Sequence, residues 1–145
     1  MAHPIQAQVA DNSVARPLIS PNAAALAGRV LLAMLFLLSG INKVAQPDPT
    51  LAYINAAGLP FAPVVLAGSA LVEIGGSVAL ALGYRTRFAA AVLAVFTVLA
   101  ALIFHSNFAD QNQFIHFFKN IAIAGGLLQV VAFGGGRYSL DGRSA

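Results

Sequence analysis

Residues 61–82 read FAPVVLAGSALVEIGGSVALAL, twenty-two positions with Glu73 as the one charge. About 20 predominantly apolar residues are enough for a helix to cross the hydrocarbon layer. The stretch is therefore a membrane span, and its neighbours follow the same pattern. Residues 23–41, AAALAGRVLLAMLFLLSGI, are interrupted only by Arg29. Residues 88–104 carry no charge, and residues 114–133 carry His116, Lys119 and Asn120 in their first turns. A central charge costs about 2.5–3.5 kcal/mol on insertion scales, whereas nine Leu, Ile, Val and Phe residues return roughly 4.5 kcal/mol, so the first span inserts despite its arginine.

The whole chain agrees. Of its 145 residues 59% are hydrophobic and 9% charged, with a mean hydropathy of +0.79. That leaves too few ionic groups to solvate a soluble domain. The expected architecture is all-α, an integral membrane four-helix antiparallel bundle over residues 23–133, with spans at about 23–43, 61–82, 88–106 and 114–133. A proline-rich, disordered cytoplasmic tail precedes it (1–22) and a Gly-rich cytoplasmic tail follows (134–145). The connection 42–60, with three prolines, reads as a loop, and the third span, whose only polar side chain over residues 88–104 is Thr97, reads as lipid-exposed. Arg16, Arg85, Arg87, Arg137 and Arg143 fall on one side against Lys43 and Lys119 on the other. Five against two places both termini in the cytoplasm. The basic residues are scattered singly, which points to membrane orientation rather than to nucleic acid. The absence of cysteine excludes thiolate nucleophiles, Fe–S clusters and disulfides.

Counting inward at 1.5 Å per residue puts Arg29 about 9 Å and Glu73 about 13 Å from the same surface. Opposite charges at matched depth relieve each other's desolvation, so a buried Arg29–Glu73 ion pair is expected. It reads either as an interhelical clamp or as a site where Glu73 carries a proton or holds a ligand. At about 100° per residue, Lys43 shares the Arg29 face, and Ser69 and Ser77 flank Glu73. Gly75, Gly76, Gly125 and Gly126 suit close helix approach.

A second polar cluster lies at the opposite surface: Lys43, His105, His116, Lys119 and Asn120, ringed by Phe104, Phe108, Phe114, Phe117 and Phe118. Apolar walls with a few donors suit a planar, carbonyl-bearing, lipid-soluble ligand such as a quinone. The plainer reading is an interfacial belt with snorkelling His and Lys. A metal on His105 and His116 has only Asp110 nearby as a third ligand, and haem ligation fails because both histidines lie at the membrane edge. No metal site, no catalytic residue, no phosphate loop and no nucleotide fingerprint is read from the chain.

The runs GRVLLAMLFLLSGINKVAQ (28–46), LVEIGGSVALALGYRTRFAA (71–90), HSNFADQNQFIHFFKNIAIAGGLLQ (105–129) and GGGRYSLD (134–141) resemble the DoxX family of small bacterial inner-membrane proteins. The resemblance covers residues 24–141 and implies a four-helix protein of the bacterial inner membrane. Its relatives include the small membrane subunit of thiosulfate:quinone oxidoreductase and subunits associated with terminal quinol oxidases. Arg29, Lys43, Glu73, His105, Lys119 and Asn120 are the polar positions that match the family's pattern, whereas the missing cysteines speak against a sulfur activity.

Three functions follow as expectations. The first is a small accessory subunit, without a catalytic motif or cofactor of its own, of a quinone-linked membrane oxidoreductase or respiratory system. The second is a proton or small-solute pathway in which Glu73 changes protonation. The third is a membrane scaffold that docks a soluble enzyme. The lipid bilayer is the first partner, and an oxidoreductase subunit and a second copy of the chain are the candidate protein partners.

Overall fold

The computed structural model describes residues 18–143; residues 1–17, with Arg16 and most of the expected N-terminal tail, lie outside the described residues. Among the described residues every regular element is a helix. Four are long and apolar enough to cross a membrane: α1 (Pro21–Ala45), α3 (Ala62–Leu82), α4 (Thr86–Phe104) and α5 (Gln111–Phe133). Between α1 and α3 lies α2 (Pro47–Ala56), and α6 (Leu140–Arg143) is a single turn near the C-terminus.

Local chemistry sets the boundaries. Pro21 occupies the first turn of α1, where its missing N–H costs nothing. The Ser20 hydroxyl accepts from the Ala23 N–H at 3.2 Å, a side-chain cap on that turn. Asp110 accepts from the N–H groups of Asn112 (2.8 Å) and Gln113 (3.2 Å). This cap starts α5 three residues earlier than its apolar run. The segment 42–60, expected as a loop, instead contains α2. Pro47 and Pro49 both fall in its first turn, where backbone donors have no intrahelical partner, so the prolines start this helix rather than break it.

Helix α1 packs against α3 and α4 against α5; α3 joins the two pairs through α4, and α2 lies against α1 and α3. The buried residues of α1, namely Arg29, Ala33, Phe36 and Gly40, recur every three or four positions and so form one stripe. Ala70, Glu73, Ser77 and Leu80 do the same on α3. Leucines and valines such as Leu31, Leu38, Leu71 and Val95 face outward. Small and polar side chains inside with large apolar ones outside is the pattern a lipid solvent selects, because close helix approach rather than hydrophobic exclusion holds the helices together. Gly76, against which the side chain of Leu93 rests, is one such approach.

Helix α4 differs from the lipid-exposed span expected of it. It is the most buried of the four, because its alanines at 89, 90, 94 and 101 admit α3 and α5 closely, and Thr97 is buried with its hydroxyl donated to the Leu93 carbonyl at 2.7 Å. Apolar composition alone does not separate a lipid-facing helix from a central one.

Candidate functional site

The sequence pairs Glu73 with Arg29; the structure pairs it with Lys43. Lys43 Nζ donates to Glu73 Oε1 at 2.8 Å, to Oε2 at 2.7 Å and to the Ser39 hydroxyl at 2.8 Å, and Ser39 Oγ donates to Oε1 at 3.2 Å. This is the only salt bridge among the described residues. All three ammonium donors are thus satisfied, and Glu73 is 4% exposed.

The correction comes from helix register. A Cβ added to Gly40 would lie 3.2 Å from the Glu73 Cβ, so Glu73 is level with Gly40. At the rise of an α-helix, the eleven residues from Arg29 to Gly40 span about 16 Å. Arg29 is level with Gly83 beyond the end of α3, so the first two turns of α1 project past that end. Counting from the ends of two spans assumes that they finish in one plane, and these do not.

Arg29, 1% exposed, turns instead to the C-terminal segment. Its Nη1 donates to the Gly135 carbonyl at 2.6 Å and its Nη2 to the Tyr138 carbonyl at 2.8 Å. A cation beside the C-terminal end of α5 is favoured by the carbonyls left unpaired there. Residues 134–143, expected as a polar tail, are therefore held against the helices. The Asp141 carboxylate completes the attachment by accepting from Arg85 N–H (2.8 Å), Thr86 N–H (2.7 Å) and Thr86 Oγ1 (2.7 Å). It thereby caps α4 from a distant part of the chain. Those Thr86 hydrogen bonds, first from the hydroxyl and then from the backbone, hold the Asp141 carboxyl below its ordinary range; the Arg85 N–H and the Arg29 charge act in the same direction. Gly83, at φ +70°, fits here because a side chain would collide with Ser139. Glycine also takes that left-handed backbone without steric cost.

At the Lys43 end, a cavity of about 410 Å³ lies between the α1–α3 and α4–α5 pairs with α2 across it. Ser39, Lys43, Glu73, Thr97, His105 and Asn120 are among its polar groups, and Phe36, Ile54, Val65, Phe96 and Phe104 among its apolar walls. Leu35 of α1 and Leu99 of α4 line it while being 45% and 50% exposed, so it opens sideways between these helices, toward the face that lipid would cover. Tyr53 of α2 stacks on Phe104 at 5.3 Å between ring centroids and donates its hydroxyl to the Phe104 carbonyl at 3.2 Å, fastening α2 over the cavity.

Of the five ligand-binding residues expected from the sequence, Lys43, His105 and Asn120 line this cavity. His116 stacks behind His105 at 5.1 Å, and Lys119 is exposed outside it. The aromatic ring divides as well: Phe104 reaches the cavity, while Phe108, Phe114, Phe117 and Phe118 pack on one another in the α4–α5 corner. Among the described residues no group of three His, Cys, Asp or Glu side chains is placed to hold a metal.

His105 Nδ1 is buried and has no hydrogen-bond partner among the described residues. Burial first, then the nearby His116 and Lys119 charges, push this imidazole below the usual histidine range and favour its neutral form. A buried polar nitrogen without a partner is costly unless something supplies one. Thr50, Tyr53 and Ile54 complete the wall from α2, which sequence reading missed along with the helix.

Comparison with known proteins points the same way as the four spans. The chain is 39% identical to Inner membrane protein YqjF of Escherichia coli (strain K12) over 118 residues, covering 80% of this chain and 88% of that one. It is 28% identical to Inner membrane protein YphA of the same organism over 139 residues, covering 92% and 95%. No solved structure matches the chain. The DoxX family model matches residues 24–106, from the first turn of α1 past the end of α4, and the chain belongs to the DoxX family.

Proposed function

We propose that this chain is a protein of the bacterial inner membrane that binds a lipid-soluble, carbonyl-bearing molecule such as a quinone in the cavity beneath α2, as an accessory subunit of a quinone-linked membrane oxidoreductase. The observation that carries the reading is the cavity, with apolar walls, a side opening between Leu35 and Leu99, and donors waiting inside. A volume of about 410 Å³ is within the range of small-molecule sites, and access through the lipid suits a ligand that never leaves the bilayer. Lys43 does not offer the donor, because all its hydrogens are spent on Glu73 and Ser39. His105, whose buried Nδ1 has no hydrogen-bond partner among the described residues, and the Asn120 amide, which lines the cavity, are the groups placed to donate to a carbonyl oxygen. The Lys43–Glu73 pair serves as a fixed dipole in the wall and a clamp between α1 and α3.

The bias of Arg85, Arg87, Arg137 and Arg143 toward the end opposite the cavity supports placing both termini in the cytoplasm and the cavity near the outer surface. Since the chain has no cysteine, a single Arg143→Cys reports this sidedness: labelling from the cytoplasmic face alone is expected.

The binding test is titration of the purified protein with a short-chain ubiquinone analogue. Saturable binding is expected, weakened about tenfold by His105→Ala or Asn120→Ala, the scale of one hydrogen bond. Absence of saturable binding by the wild type refutes the site. The rival proton pathway requires Glu73 to let go of Lys43, and predicts that proteoliposomes dissipate a pH gradient in a way that Glu73→Gln abolishes.

A further inference from the structure

A second site lies at the opposite end of the molecule, where α4 begins and α5 ends. A cleft of about 660 Å³ is lined there by Arg85, Arg87, Phe88, Phe133, Gly134 and Asp141. Arg85 and Arg87 are exposed, and neither guanidinium has a carboxylate partner among the described residues. Asp141, the only acid in the cleft, is committed to the Thr86 hydroxyl and to the N–H groups of Arg85 and Thr86. Two guanidiniums against one carboxylate leave the cleft with one net positive charge, the complement of a phosphodiester monoanion.

The position of the cleft selects the source of that anion. Thr86 and Phe133 are terminal residues of two membrane-spanning helices, so the cleft lies at the level where the hydrocarbon ends and headgroups begin. Phe88 and Phe133 flank it, 69% and 79% exposed, and offer apolar surface along which acyl chains can run. The Arg87 side chain lies across Gly134, where an added Cβ would meet its Nε at 3.4 Å, which brings the guanidinium to the α5 side of the cleft.

We propose that this cleft is a binding site for an anionic phospholipid, Arg85 and Arg87 gripping the headgroup phosphate while the acyl chains lie against Phe88 and Phe133. Forked guanidinium–phosphate hydrogen bonds supply the affinity, and the adjoining apolar surface separates a lipid from a soluble phosphate. The site also ties α4 to α5 at the end where Asp141 and Arg29 hold the C-terminal segment, so an occupied cleft stabilises the fold.

The test is thermal unfolding of the full chain in neutral detergent with added phosphatidylglycerol, phosphatidylcholine or glycerol phosphate. Phosphatidylglycerol is expected to raise the midpoint clearly above phosphatidylcholine, with glycerol phosphate having no effect. Arg85→Gln/Arg87→Gln is expected to erase the difference between the two lipids while leaving the phosphatidylcholine value in place. Native mass spectrometry of the single variants Arg85→Gln and Arg87→Gln gives a readout that does not need the double variant to fold, each retaining about tenfold less phosphatidylglycerol than the wild type. Equal shifts with both lipids, a difference that survives in the variants, or a shift reproduced by glycerol phosphate would each overturn the proposal.

Discussion

Lys43 decides what Glu73 can do. A carboxylate held by an ammonium on both oxygens and buried in an apolar setting depends on that partner, and breaking such a pair leaves a buried charge behind. Glu73→Gln should lower stability by about 2 kcal/mol. That is less than for a fully buried pair, because the Lys43 side chain is 20% exposed and partly screened. Lys43→Met/Glu73→Leu should recover most of the loss, as a double-mutant cycle in chemical unfolding will show; additive losses would mean that the pair is not coupled. His105 titrates in the opposite sense to a salt-bridged histidine. With its folded value held below the ordinary 6.5, its contribution to stability is complete above pH 6.5 and is lost as pH falls through that lower value. The unfolding midpoint should therefore fall more between pH 6.5 and 5 in the wild type than in His105→Gln. Sequence alone shows that Glu73, Lys43 and Arg29 need partners, since unpaired charge in lipid is expensive. It does not show which partners, because that depends on how far each helix projects past its neighbour.

At the scale of elements, α2 is what turns a gap between helices into an enclosed site. Its prolines disguise it, although a PDPT start followed by LAYINA is compatible with a helix whose first turn tolerates proline. The four spans are legible because each is a long apolar run; their ends shift by at most three residues, the Asp110 cap lengthening α5 at its start while α4 stops at Phe104 rather than at 106. The burial of α4 is not legible, since alanines that admit a neighbouring helix look the same in sequence as alanines facing lipid. Tyr53→Ala removes both the stack on Phe104 and the hydrogen bond to its carbonyl, the contacts that fasten α2. The expected outcome is faster exchange of backbone amides over Pro47–Ala56 and weaker binding of the quinone analogue, with the exchange of α4 and α5 unchanged. Unaltered α2 exchange would show that Tyr53 does not hold the helix.

On the scale of the whole molecule, the two ends carry different chemistry. One end encloses a cavity around a salt bridge, and the other folds the C-terminal segment onto Arg29, Thr86 and the α3–α4 turn. Arg29→Met should cost about 2–4 kcal/mol, because two carbonyls each lose a buried charged donor. Those carbonyls belong to Gly135 and Tyr138, so limited proteolysis should then cut within residues 134–143. Resistance to cleavage equal to the wild type's would show that the segment is held by other contacts. This attachment is hidden in the sequence, where GGGRYSLD reads as a helix terminator followed by a tail. The charge asymmetry between the ends is plain in the sequence, and it is the feature on which the proposed orientation rests.

The claim that joins these scales is that a lipid-soluble carbonyl compound enters between α1 and α4 and rests against His105 and Asn120. Photolabelling of the purified protein with an azido-ubiquinone analogue, followed by peptide mapping, tests it most directly. Labelling within Thr50–Ile54 of α2 and Ile103–His105 of α4 and its end, suppressed by excess unlabelled analogue and by His105→Ala/Asn120→Ala, is the expected result. Labelling confined to lipid-facing positions such as Leu31 and Leu71, and insensitive to the competitor, would contradict it.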